Sequence, residues 1–447
     1  MFTLKNFKLT YTQVIAMGFL AIILFGAFLL SMPFSSRSGA ATPFINSLFA
    51  ATTSTCVTGL VVYDTYTHWS IAGQIIILSL IQIGGIGFMS VATFLAIVLK
   101  RRIGLRERRL IMESANTMNI GGVVALMRKI LIGTLIIESL GAIALSIKFV
   151  PEMGLGVGIY NGIFHSVSAF CNAGIDIMGK YGQFTSLTRY SDDVLVNITI
   201  MLLIIIGGIG FIVWSDISKN GIHFGKYQLH TKIVITTTCT LVFGGAILFY
   251  LLERNNQLAG MGIKETILAS LFQSVTPRTA GFNTVDIGGL TEGGSLLTII
   301  LMFIGGSPGS TAGGIKTTTL VVLFLGVIAS SRNTSDLNIF KRRLEDHTQR
   351  KASSIFVIYI TVVLISTMII CAMQPFTLRQ VLMEVVSAIG TVGLTAGITP
   401  TLNTLSKLII ILLMYGGRVG GLSLALVLAE KKENVPIQRP VGKIIIG

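Results

Sequence analysis

Four stretches of this sequence have the composition to hold an ion through backbone alone: TCVTGL at 55–60, FCNAGI at 170–175, PRTAGF at 277–282 and GTVGL at 390–394. Aligned on Gly59, Gly174, Gly281 and Gly393 they recur after 115, 107 and 112 residues, so the chain divides into four units. Each stretch follows a short segment, PFINSLFAATTS at 43–54, NGIFHSVSA at 161–169, KETILASLFQSV at 264–275 and LRQVLMEVVSA at 378–388. At about three helical turns or fewer, these are too short to cross a bilayer. A helix that stops at membrane depth leaves carbonyls that only protein or a water-filled cavity can accommodate. Four inward helix C-termini supply partial negative charge, and consecutive carbonyls can replace the hydration shell of a cation. Glycine gives the positive φ such a turn needs. The expected cage is Val57, Thr58 and Gly59, then Asn172, Ala173 and Gly174, then Thr279, Ala280 and Gly281, then Thr391, Val392 and Gly393.

The elements that position these turns must lie in a membrane. With 447 residues, 52% hydrophobic and 12% charged, the chain cannot clothe a water-facing surface. Apolar runs near 12–30, 72–99, 130–150, 194–214, 233–252, 296–329, 352–373 and 408–428 give eight expected spans. The first has only Lys5 and Lys8 before it and no small-residue cleavage site, so it reads as a retained span. The fold class is an all-α integral membrane protein of four pseudo-repeats, each span, re-entrant helix with its turn, and span, around a central pore. Residues 1–99 hold the first unit, 100–217 a basic loop and the second, 218–330 a loop and the third. Residues 331–430 hold a loop and the fourth, and 431–447 a tail.

The net charge of +15 is distributed by loop. With the N-terminus cytoplasmic, 23 of the 34 Lys and Arg fall on the inner side, which sets both termini there and removes nucleic acid as a partner. KRRIGLRERR at 100–109 reads as an anchor facing lipid headgroups.

IGGIGF occurs at 83–88 and again at 206–211, with altered echoes at 304–309 (IGGSPG) and 415–420 (YGGRVG). Each lies in the second span of its unit. Small residues let backbones approach in lipid, so the first two copies read as packing glycines in intact spans. The third departs. Between 293 and 330 there are 38 residues whose only charge is Lys316, and as one helix they would run about 57 Å. The helix must break at GGSPGSTAGGIK, 305–316, and a break at that depth must line a cavity. Gly305, Gly306, Ser307, Pro308, Gly309, Ser310, Thr311, Ala312, Gly313, Gly314 and Lys316 are thus expected to form a movable constriction held by few contacts. Arg418, in the fourth echo, joins them as a fixed charge able to donate to loop carbonyls.

Asp64, Asp176 and Asp286 follow three of the turns and are expected to draw cations to the mouth. Arg278, inside the third turn, is expected to brace it against an Asp or Glu. Glu138 and Gln82 read as interhelical hydrogen-bond partners, not ion ligands.

Several chemistries are disfavoured. Cys56, Cys171, Cys239 and Cys371 have no metal or disulfide spacing. Gly305–Gly309 satisfies G-x-S-x-G, but no strand precedes it and no acid–base partner is in reach. Ile315 spoils the phosphate-loop match before Lys316. No enzymatic constellation or cofactor site emerges. A secondary carrier of an organic solute is the competing class, but it usually has two discontinuous helices, not four re-entrant ones.

Taken in order, TCVTGL, FCNAGI, TPRTAGF, GTVGL and both IGGIGF copies resemble the Ktr/Trk/HKT superfamily, closest to the Ktr-type membrane subunit, over essentially the whole chain. The resemblance implies potassium uptake by a channel-like homodimer in the bacterial plasma membrane, gated by the 305–316 loop. It also implies a cytoplasmic nucleotide-binding regulatory ring of KTN/RCK type as partner, so that nucleotide belongs to the partner and not to this chain. K+ is the implied cargo and Na+ a candidate coupling ion. The superfamily's sodium-selective branch, the alternative within it, typically carries Ser at the first of the four glycines; Gly59 is intact.

Overall fold

The computed structural model describes residues 2–4, 7–87, 89, 104–114, 122–334, 336–345 and 347–420. The first unit contains α1 (Tyr11–Ser31), α2 (Phe44–Thr55), a one-turn α3 (Thr65–His68) and α4 (Ile71–Ile86). A loop helix α5 (Leu105–Ser114) leads to α6 (Val123–Met153), α7 (Leu155–Phe170), α8 (Val194–Gly208) and α9 (Phe211–Asn220). The third unit is α10 (Leu229–Glu253), α11 (Ile263–Val275), α12 (Glu292–Phe303) and α13 (Thr317–Ser331), and the fourth is α14 (Thr348–Met373), α15 (Leu378–Gly390) and α16 (Thr404–Val419). Two small antiparallel hairpins, β1 (Phe2–Leu4) with β2 (Phe7–Leu9) and β3 (Asn338–Ile339) with β4 (Arg342–Arg343), are the only sheet among the described residues.

The first and second spans of the units behave differently. α1, α6, α10 and α14 are each long and apolar enough to cross a membrane unbroken. The helices of the second spans end beside their GG pairs, at or just after the pair in the first, second and fourth units and just before it in the third. α4 closes at Ile86 with Gly87 at φ +86°, and most of the expected 72–99 span beyond it lies outside the described residues. α8 and α9 meet at 98° across Gly210, φ +97°. α12 and α13 are separated by 304–316, and α16 closes at Val419 with Gly420 at φ +97°, where the described residues also end. The expectation that the second IGGIGF lies in an intact span is therefore overturned. The last glycine of the motif adopts a conformation that a helix cannot contain. The GG pair does act as a packing device. Methyl groups on Gly84, Gly207 and Gly417 would strike the carbonyl oxygens of Thr55, Phe170 and Ile389, each four residues before the turn glycine of its unit.

That close approach has a measurable consequence. Gly207→Ala should sharply reduce the yield and thermal stability of monodisperse protein, because the obstruction is backbone and cannot rotate away. Gly244→Ala, where a methyl meets nothing within 4 Å, is the silent control. Equal melting curves for the two variants would show that the GG contact is dispensable.

Second spans start on side-chain caps. Ser70, Asp193, Thr291 and Asn403 accept from the N–H of Gly73, Val196, Gly294 and Ser406, so each helix begins where a polar residue ends the preceding loop. Each short helix packs on the first span of its own unit, α2 on α1, α7 on α6, α11 on α10 and α15 on α14. Each second span also packs on the short helix of the next unit: α4 on α7, α8 on α11, α12 on α15, and α16 back on α2. The four units thus close into a ring. Large apolar side chains such as Phe25, Leu135, Phe243, Phe324 and Met368 stay exposed on its outer face, as lipid contact requires.

Candidate functional site

The C-termini of α2, α7, α11 and α15 run into the four glycine turns, and these share one backbone form. Two residues before each glycine stands a non-glycine residue at positive φ: Val57 at 57°, Asn172 at 59°, Thr279 at 68° and Thr391 at 52°. Gly59, Gly174, Gly281 and Gly393 follow at 98°, 61°, 86° and 96°. β-branched residues such as Val57, Thr279 and Thr391 seldom occupy this region, and backbone strain of this kind concentrates where a site needs it. The turns also touch in cyclic order. A methyl on Gly59 would strike the Ala173 carbonyl, on Gly174 that of Ala280, on Gly281 that of Val392, and on Gly393 that of Thr58. All twelve residues of the expected cage therefore lie in one buried ring, with four carbonyl groups at the joints between neighbouring units.

A hydroxyl braces each turn, a feature that sequence reasoning missed. Thr53 Oγ1 accepts from Gly59 N at 3.0 Å and Ser387 Oγ from Gly393 N at 3.0 Å. Ser168 Oγ donates to the Ile175 carbonyl at 2.7 Å, and Thr276 Oγ1 donates to the Phe282 carbonyl. The carbonyls of the same four residues also accept from Thr58, Ala173, Val392 and Ala280 N–H at 2.8–2.9 Å. The signal was available. A Ser or Thr stands six residues before the glycine in three units and five before it in the third. Such tightly satisfied turns hold a strained backbone in place.

Behind the ring lies a polar layer. With its amide donating to the Phe170 and Ala169 carbonyls at 3.2 and 3.3 Å, Asn172 accepts from Thr279 Oγ1 at 3.3 Å and ties the second turn to the third. Glu138 and Gln82, expected to bond between helices, bond to each other at 2.9 Å, beside the Cys171 thiol. Glu384, wholly buried, accepts from Thr395 Oγ1 at 2.7 Å and from Thr399, anchoring the chain that leaves the fourth turn. Arg278 is a correction. Its guanidinium reaches no carboxylate among the described residues but donates to Thr238 Oγ1 at 3.2 Å, on α10. The third turn is braced against a neutral hydroxyl of the adjoining span.

Residues 305–316 lie directly against the ends of the short helices. Gly390 comes against Gly314, and a methyl on Gly313 would strike Thr391 Oγ1. The loop is not loosely held, contrary to expectation. Gly305 N donates to Ile315 O at 2.8 Å across a bridge between Ile304 and Ile315, and Thr317 N donates to Gly306 O at 3.1 Å. Ser307 N and Thr311 N donate to the carbonyls of Gly208 and Gly207 at 2.9 and 3.3 Å, and Phe211 N donates to Gly309 O at 2.8 Å. The loop therefore satisfies the backbone groups that the bend between α8 and α9 exposes. One break mends the other. Lys316 Nζ turns back on the Ala312 and Gly313 carbonyls at 2.7 and 3.2 Å. Arg418 does not extend to the membrane surface. Its guanidinium donates to Thr311 O of the loop and to the carbonyls of Gly84 and Gly85 at the end of α4.

The three expected mouth carboxylates occupy different settings. Asp64 is buried, accepts from Thr67 N at 2.8 Å and Phe184 N at 3.1 Å, and serves as the cap of α3. Asp176 is half-buried beside it, and burial, reinforced by the Asp64 charge, raises its carboxyl to about 7. Asp286 is exposed and accepts from Gly288 N at 3.0 Å.

A fourfold ring of glycine turns on interrupted spans is a specific architecture, and residues 9–436 match the family model described as TrkH, cation transport protein. The chain belongs to the TrkH cation-transport family. Similar proteins include the potassium/sodium uptake protein NtpJ of Enterococcus hirae, 40% identical with 98% of each chain covered. The Ktr system potassium uptake protein B of Bacillus subtilis is 40% identical, covering 99% of this chain and 98% of that one. Its counterpart from Vibrio alginolyticus is 36% identical over 97% and 94%. The crystal structure of the potassium transporter TrkH from Vibrio parahaemolyticus superposes with a TM-score of 0.74 over 96% of this chain and 87% of that one, at 16% identity, which bears on the fold. The family is one of cation transporters, not enzymes, and this member is a multi-pass membrane protein.

Proposed function

We propose that this protein carries potassium into the cell through the ring of glycine turns, with backbone carbonyls as the selective ligands. The closed cyclic order of the four turns supports this reading, because one carbonyl of every unit lies against the turn glycine of its neighbour and the four turns so form a single ring. A neutral cage suits a weakly hydrated cation, where a ring of carboxylates would retain a strongly hydrated one. The names of the Ktr-type relatives and the intact Gly59 both favour potassium. Residues 305–316 with Arg418 form the gate below the ring, and Asp64, Asp176 and Asp286 serve the entrance. The chain works as a homodimer in the bacterial plasma membrane with both termini cytoplasmic, under a nucleotide-binding ring of KTN/RCK type, with sodium a candidate coupling ion. The four units of the 1–99, 100–217, 218–330 and 331–430 division each contribute one wall of the pathway.

Rubidium uptake in a cell lacking its own potassium uptake systems tests this, followed by flux into liposomes with potassium and sodium in competition. Expected are growth rescue at low potassium and flux that sodium does not displace. Uptake should also rise as external pH passes upward through about 7, where Asp176 ionises, and Asp176→Asn should remove that step. Normal membrane insertion without rescue or flux refutes the proposal. Sodium flux that outruns potassium favours the sodium-selective alternative within the superfamily; the name of NtpJ, a potassium/sodium uptake protein, includes both ions.

A further inference from the structure

The ten residues of α9 stand between two glycine hinges. Gly210 before it has φ +97° and Gly221 after it φ +58°, and neither conformation continues a helix. The helix between them is about 15 Å long and stiff. Its start touches the apex of the 305–316 loop. The first N–H groups of a helix have no partner inside it and point out along its axis. Here Phe211 N donates to Gly309 O at 2.8 Å, and a methyl on Gly210 would strike the Pro308 carbonyl. Where α9 points therefore decides whether that bond is made. Trp214 Nε1 donates to the Ile206 carbonyl of α8 at 2.8 Å, but one turn from the bend it restrains the pivot more than the direction.

One carboxylate holds the helix further along. Asp216, the last buried residue of α9, accepts from Asn220 Nδ2 at 2.8 Å within the helix and from Gln228 N at 2.9 Å across the connection. Gln228 is the N-cap of α10. Residues 221–226 between the two are exposed, and Tyr227 OH turns back on the Gly221 carbonyl, so the connection closes on itself. The Asp216 carboxylate thus links α9 directly to the start of α10. We infer that Asp216 is a positioning residue of the gate: by tying α9 to α10 it fixes the helix axis, and so aims the Phe211 N–H at the loop apex. It acts through the helix, not by contact with the loop or the ion. Gln228 is exposed, so its N–H can turn to water when the link parts. The latch therefore opens without stranding a backbone group, and α9 is then free to swing about Gly210 and withdraw from Gly309. The inference rests on the reading of residues 305–316 as a gate.

Potassium flux into liposomes by Asp216→Ala and Gln228→Pro tests it, with Arg418→Ala as the reference for a released gate. The two variants break one bond from opposite ends. Proline fits the site, since Gln228 has φ −60° and ψ 154° and Tyr227 before it φ −66° and ψ 149°, so the backbone path is kept and the N–H is lost. If Asp216→Ala does not fold, Gln228→Pro alone carries the test. Each should raise flux about fivefold, the worth of one backbone hydrogen bond made only in the closed state, with the preference for potassium over sodium unchanged. The double variant should conduct no faster than either single one, because both remove the same link; two separate injuries to the fold would add. Deuterium uptake at the Phe211 amide should rise in both variants, because that N–H is no longer aimed at Gly309. Wild-type flux in the latch variants while Arg418→Ala conducts faster overturns the inference and leaves the gate in place. Additive gains in the double variant overturn it as well, and so does faster flux with unchanged uptake at Phe211, since Asp216 would then act by another route. If Arg418→Ala conducts no faster than wild type, the gate reading fails and takes this inference with it.

Discussion

Gly59→Ser should cost the protein most of its preference for potassium over sodium while leaving it folded. Two features of the first turn combine to this effect. Gly59 sits at φ +98°, where a side chain is strained, and a Cβ there would strike the Ala173 carbonyl and come within 3.1 Å of the Gly393 Cα. Relief requires the first turn to move away from the second and fourth, which displaces carbonyls from three of the four units. Selectivity rests on small differences between two similar ions. A change of about 1.4 kcal/mol in their relative cost is a factor of ten, and moving one carbonyl in a ring of four suffices for that. The expected result is a fall of roughly tenfold or more in the potassium to sodium ratio in liposome competition, read on the monodisperse fraction, with a melting temperature below wild type because the obstruction is backbone and the φ is positive. A variant with wild-type ion competition at normal expression would remove this glycine from the ion path. Thr53→Val offers a milder check on the same turn, since it deletes the acceptor for Gly59 N and leaves the backbone unobstructed.

Much of this ring was legible in the sequence, for a definite reason. Glycine at the tip of a turn is a requirement on φ and on space, and it cannot be met by another residue, so four of them in register survive as a pattern. The short helices, too, were found to within a few residues, except that α7 begins at Leu155 and not 161, because LGVGIY carries glycines that argue locally against helix but are tolerated inside it. What sequence did not reveal were features in which several residue types serve equally well. The bracing position can be Thr53, Ser168, Thr276 or Ser387, and such residues are common enough to pass as ordinary helix content. The break in the second span was missed for a related reason. IGGIGF is as apolar as an unbroken helix, and only the partner that accepts the freed backbone groups, the loop at 305–316, makes the bend tolerable. That partner lies about a hundred residues away in the chain. Arg278 shows the opposite error. A charge inside a turn suggested a carboxylate partner, whereas the fold supplies the Thr238 hydroxyl.

The density of bonds around the loop changes how a gate there must work. A plug held by few contacts would open by its own conformational entropy. The observed loop is stitched to the bend between α8 and α9 and clamped by Arg418, which spans from Thr311 to Gly84 and Gly85. On the proposal that this loop is the gate, opening must break or exchange the clamp. Arg418→Ala removes donors to three carbonyls at once. Hydrogen bonds to a charged group contribute about 1.5–3 kcal/mol each, so losing even one that is made only in the closed state should raise flux about tenfold or more. Potassium over sodium preference should not change, since the turns lie beyond the loop. Deletion of Ser310–Gly314, which takes Thr311 with it, should act in the same direction. Arg418→Lys separates two causes. Lysine keeps the positive charge but lacks the planar fork that reaches two sides of the loop. If the charge itself is the barrier, the lysine variant stays slow; if the clamp is, it conducts like the alanine variant. The geometry favours the clamp, because the guanidinium is already spent on carbonyls of two separate segments. Both alanine and deletion variants conducting less than wild type, while folded and monodisperse, would overturn this account and make the loop a structural wedge. The bend at Gly210 would then be the element to test next, since Ser307, Thr311 and Phe211 hold it and the loop together as one unit.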